Sequence, residues 1–110
     1  MKETKLITRT PEEFQKLIEG SSNACLVVVG ASWCGSYHMI SRQIHELTQE
    51  FKLKMCVHHI DFDSSKALMQ HYGLSLPPAL LFFSQGQLMD KLLETAPKHI
   101  IRNHIMKLIW

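Results

Sequence analysis

Cys34, in the stretch ASWCGSYHMI over residues 31–40, is the residue best placed to do chemistry. Trp33 precedes it, Gly35 and Ser36 follow, and Tyr37 and His38 come next. The thiolate is the attacking species in disulfide exchange, so Cys34 is the candidate nucleophile. Tyr37 offers a phenol and no thiol chemistry. A mixed disulfide formed on Cys34 must then be released from outside, by glutathione or by a thiol of the partner. His38 stands four residues beyond Cys34, one turn along a helix. It is either a neighbouring cation when protonated or a solvated surface histidine.

Cys25 and Cys56 do not replace the missing second thiol. Cys25 opens an apolar stretch whose far end carries Cys34, and strand rise of about 3.3 Å per residue sets them roughly 20 Å apart. Cys56 falls at a similar level of another apolar stretch, so the two are expected as neighbours. Two buried, reduced cysteines are the simple reading; a cross-strand disulfide is the alternative. No metal site is expected. His58 and His59 are adjacent on a strand and point to opposite faces, and His99 and His104 are five apart on a helix. Met39, Met55, Met69, Met89 and Met106 read as fillers of core or groove.

The 110 residues make one domain, 1–110, with 45% hydrophobic and 20% charged residues and a net charge of +2. The basic residues are scattered, which gives no nucleic-acid footprint. No run approaches a membrane span. An odd count of three cysteines argues against a disulfide framework. The opening MKETKLITRT carries charge but no apolar leader-like run. Cytoplasm is therefore the expected location.

The elements that must position Cys34 follow from hydrophobic period. KLIT, 5–8, reads as a short strand. Thr10 caps a helix with Pro11 at its first position and Glu13 closing a capping box. Phe14, Leu17 and Ile18 form its apolar face, and Gly20 stops it. ACLVVVGA, 24–31, is continuously apolar and β-branched, as expected of a strand covered on both faces. Ile40, Ile44, Leu47 and Phe51 then recur at helical spacing. KMCVHHIDFD, 54–63, reads as a second central strand. Ser64 or Ser65 caps a short helix that ends at Tyr72–Gly73. ALLFF, 79–83, and QLMDKLLE, 87–94, flank a tight SQGQ turn. A last helix starts near Thr95 and Pro97, with a stripe of Ile100, Ile101, Ile105, Leu108 and Ile109.

This order, with WCGSY, IDFD, YGLSLPPALLFF and QGQ, resembles the thioredoxin family along essentially the whole chain. The resemblance implies an α/β thioredoxin fold. Its central mixed sheet would have five strands flanked by four helices, in the order β-α-β-α-β-α-β-β-α. Trp33 and Cys34 take the family's tryptophan and attacking cysteine. Ser36 stands for the usual proline, Tyr37 for the resolving cysteine, and Pro78 for the cis-proline. Val28 replaces a buried aspartate, with His59 aligned to its usual lysine neighbour, so a base for resolution is missing. Pro77 has lost the N–H with which that position would bind substrate backbone and keeps the carbonyl. Glu94 falls where the family places a groove glycine, or else is a solvated strand-edge charge.

Two functions follow. In the first, Cys34 forms mixed disulfides with protein thiols or glutathione, and Trp33, Leu76, Pro77, Pro78 and Glu94 line the docking surface. Such a protein needs no cofactor, with glutathione possible as co-substrate. In the second, a redox-inactive binding module uses a flat surface around Trp33 and Tyr37 for a protein partner. A glutaredoxin-like iron–sulfur carrier fits poorly, because the order here is Cys-Gly-Ser-Tyr.

Overall fold

The computed structural model describes residues 5–20 and 24–109; the rest of the 1–110 domain assignment lies outside the described residues. Helix α1, Pro11–Glu19, starts on the Thr10/Glu13 capping box. Glu13 N donates to Thr10 Oγ1 at 3.1 Å and Thr10 N to Glu13 Oε1 at 2.9 Å, so two otherwise open donors are paired reciprocally. These bonds also draw the Glu13 carboxyl below its ordinary value. Strand β1, Ala24–Gly30, is buried at every position. Helix α2, Gly35–Glu50, buries Tyr37, Ile40, Ile44 and Leu47. Strand β2, Cys56–Asp61, and helix α3, Lys66–His71, follow. Strands β3, Ala79–Ser84, and β4, Gln87–Leu92, form a hairpin ahead of helix α4, Lys98–Ile109.

The sheet has four strands in the order β2-β1-β3-β4, with β1 parallel to β2 and antiparallel to β3. The expected fifth strand at 5–8 is reduced to one bridging residue, Ile7 opposite Ile60. Ile7 N donates to His59 O at 3.0 Å and Ile7 O accepts from Asp61 N at 2.8 Å. The reason is local. Arg9 N turns aside to Ser65 Oγ at 3.1 Å, and Thr10 is already committed to capping α1. Too few residues remain to lengthen the ladder. β2, expected to be central, is thus an outer strand covered only at this bridge.

Alternate residues of the sheet face two separate cores. Leu26, Val28, Leu80 and Phe82 pack with Ile40, Ile44 and Leu47 of α2 and Ile101 and Ile105 of α4. Cys25, Val27, Val29, Leu81 and Phe83 pack with Phe14 and Ile18 of α1 and Leu68 and Met69 of α3. Two helices therefore cover each face, as strict side-chain alternation in a doubly covered sheet requires. Met55 and Met69 are core residues, whereas Met39 and Met89 are exposed.

Candidate functional site

The site forms where β1 gives way to α2. Gly30 ends the strand, Cys34 N donates back to Ala31 O at 3.0 Å, and Cys34 becomes the N-cap of α2 with an extended backbone. An N-cap side chain faces the unpaired N–H groups of the first turn. Here that side chain is a thiol: Cys34 Sγ accepts from Tyr37 N at 3.4 Å. The positive end of the helix dipole lies on the same side.

Cys34 is only 7% exposed. It meets one further partner, the Pro77 carbonyl oxygen at 3.7 Å, to which the thiol donates. Pro77 precedes a cis bond to Pro78, which enters β3 directly. The acceptor that Pro77 keeps is therefore turned to Cys34. Trp33 and Leu76 flank the sulfur from these two segments and are both largely exposed. Trp33 Nε1 donates to Asp63 Oδ2 at 2.6 Å, which fixes the indole beside the cysteine. Sequence reasoning passed over Asp63, although the acidic residues of IDFD were its signal. Asp61 of that motif instead accepts from Ser64 N at 2.9 Å and shapes the turn into α3.

Tyr37 does not lie on this surface. It is 2% exposed, its ring slides under Gly30, and its hydroxyl bonds His59 Nδ1 at 3.2 Å. A docking surface that includes Tyr37 is thereby corrected to one around Trp33, because the Tyr37 ring is packed in the core cluster with Val28, Ile40 and Ile44. Burial pushes the Tyr37 phenol up, with a hydrogen bond to Ser41 acting the other way. Burial, then the nearby His58, pushes His59 down to about 4. Both groups are neutral near pH 7. Val28 is fully buried and pairs in register with His59, so an apolar valine and a neutral tyrosine–histidine pair fill the space beneath Cys34.

The other expected residues divide. Gly35 and Ser36 are exposed in the first turn of α2. His38 is exposed, and its Nε2 is 2.7 Å from Ser32 O, which as an acceptor requires the ring N–H to donate. Glu94 lies in the exposed bend beyond β4, two residues past Leu92, and makes no hydrogen bond or ion pair among the described residues. The β3–β4 pairing ahead of it carries an irregularity: Phe82 pairs with Asp90 but Phe83 with Leu88.

Cys25 and Cys56 are direct register partners, as expected, and no disulfide joins them. With His58 they bring their ligand atoms within 4.8 Å of one another. The expectation of no chelating set looked at adjacent histidines and missed this trio. Its signal was Cys-Val-His: residues two apart share a strand face.

Residues 5–107 match the family model described as thioredoxin. The M-type chloroplastic thioredoxin of Pisum sativum is 31% identical over 96 residues, covering 87% of this chain. The chain spans 56% of the pea protein's length. A thioredoxin of Chlorobaculum thiosulfatiphilum is 29% identical over 101 residues, covering 92% of this chain and 94% of that one. Among solved structures, the oxidised form of mitochondrial thioredoxin 3 from Saccharomyces cerevisiae superposes with a TM-score of 0.80 at 21% identity. It covers 89% of this chain and 90% of its own.

Proposed function

The chain belongs to the thioredoxin family, and from that premise we propose that it carries out monothiol thiol–disulfide exchange through Cys34. The Cys34 thiolate attacks one sulfur of a protein disulfide. The old S–S bond breaks, a mixed disulfide forms, and the other sulfur leaves as a thiolate. Glutathione thiolate then attacks the partner's sulfur; the bond to Cys34 breaks, Cys34 leaves as a thiolate, and the partner departs as a mixed disulfide with glutathione. Tyr37 can take neither role. The observation that carries this reading is the sulfur at the α2 N-cap, 3.4 Å from Tyr37 N, with the Tyr37 ring turned away from it. Trp33, Leu76 and Pro78 form the docking face. A reducing setting such as the cytoplasm suits three cysteines outside any disulfide.

A redox-inactive binding module remains the second reading. It is favoured by the low exposure of Cys34, by its bond to the Pro77 carbonyl, and by the N–H that Pro77 lacks. One experiment separates the two. Reduced protein is mixed with a disulfide-bonded protein substrate, with and without glutathione, and adducts are followed by mass spectrometry. The monothiol reading expects a one-to-one adduct on Cys34, turnover only with glutathione, and neither in Cys34→Ser. Tyr37→Cys, placed with its backbone N 3.4 Å from the sulfur, is expected to turn over without glutathione. No adduct, together with unchanged partner binding by Cys34→Ser, establishes the inactive module instead.

A further inference from the structure

Far from Cys34, at the N-terminal ends of β1 and β2, the sheet gathers the chain's other two cysteines and one of its seven histidines. Cys56 and His58 are two apart on β2 and share a face. The parallel register sets Cys25 beside Cys56 and Val27 beside His58. We propose that Cys25, Cys56 and His58 form a Zn²⁺ site of two thiolates and one imidazole, with water as the fourth ligand. This inference does not rest on the chemistry proposed for Cys34.

Two observations support it. The donor atoms already lie within 4.8 Å of one another. Zinc–sulfur bonds of about 2.3 Å and zinc–nitrogen bonds of about 2.0 Å place tetrahedral donors somewhat under 4 Å apart. Binding would draw the three side chains, held on two hydrogen-bonded strands, toward one point. The donor set is soft and contains no carboxylate, which selects zinc over magnesium or calcium. Cys56 and His58 are half-buried while Cys25 is buried, so an ion enters from the β2 side. Binding converts two thiols to thiolates and releases two protons. A Cys25–Cys56 disulfide would use only two of the three groups; the histidine at the same spacing is what points to a metal.

The test uses reduced, metal-free Cys34→Ser protein, whose only thiols are Cys25 and Cys56. Titration with Co²⁺ is expected to give one equivalent of tetrahedral, thiolate-ligated cobalt. Zn²⁺ should bleach that spectrum and raise the melting temperature. Cys56→Ser and His58→Gln alter half-buried positions; folding is checked by circular dichroism. Each should weaken Zn²⁺ binding at least about tenfold. The proposal is overturned if Cys34→Ser binds no Co²⁺, or if folded Cys56→Ser and His58→Gln bind as the parent does. Formation of a Cys25–Cys56 disulfide under peroxide, with no metal uptake by the reduced protein, overturns it equally.

Discussion

The hydroxyl of Tyr37 and Nδ1 of His59, 3.2 Å apart, are the residues in which this chain departs most from a dithiol site. Their titration has a thermodynamic consequence. An unfolded histidine takes up its proton at about 6.5, whereas His59 in the fold does so at about 4, chiefly because burial penalises the charged imidazole. Between those values the unfolded chain binds more protons than the native one. Stability attached to His59 is therefore intact above pH 6.5 and is lost as pH falls toward 4. Lowering the pH from 7 to 4.5 should cost the wild type about 2–3 kcal/mol more than it costs His59→Gln. Urea unfolding of both proteins at the two pH values measures this. Equal losses would show that His59 is not held neutral by the fold.

At the scale of the element, the β1–α2 junction is built around a close approach. A Cβ added at Gly30 would stand 2.1 Å from Tyr37 Cδ1 and 2.4 Å from Cε1, and a ring wedged in a core has no free end to swing away. Gly30→Ala should therefore destabilise the protein by about 1–3 kcal/mol through overpacking. In the Gly30→Ala/Tyr37→Ser double variant the added methyl meets no ring. The double variant should then be no less stable than Tyr37→Ser alone. A double-mutant cycle by urea unfolding checks the coupling; additive costs would mean that the methyl and the ring do not meet. The same junction explains why the sulfur and the ring diverge: Cys34 is the cap, outside the helical turn, while Tyr37 sits inside it, among Ile40 and Ile44. The spacing that carries two thiols in the family carries here one capping sulfur and one core ring.

Taken whole, the molecule is three layers, with β1 as the strand common to both cores. It is hydrogen-bonded to β2 on one side and β3 on the other, and helices cover both faces. β4, by contrast, is an outer strand with mostly exposed residues. Hydrogen exchange reports this difference directly. Amides of Leu26–Val29 should exchange only through global unfolding, while those of β4 exchange at least about tenfold faster through local opening. Equal protection of the two strands would contradict the layered account. Surface pairs such as Lys98–Glu46 at 3.1 Å and Arg102–Glu50 at 2.7 Å join α4 to α2 but are solvent-exposed, so they add little to that hierarchy.

The sequence by itself determined what depends on local order. The capping box of α1, the doubly buried β1, the hairpin turn at Gln85 and Gly86, where φ is positive, and the sulfur at the head of α2 all rest on residue type and near spacing. It also carried the family, because WCGSY, SLPP and QGQ keep their order along the chain. Tertiary structure decided what depends on which residues meet across distance. Only the packed chain shows the first strand cut to Ile7, Tyr37 inside rather than at the surface, and Trp33 fixed by Asp63. The cause is common to all three. Period and propensity say which face of an element is apolar, but the partner that fills that face is set by strand register and by how closely Gly30 lets a ring approach.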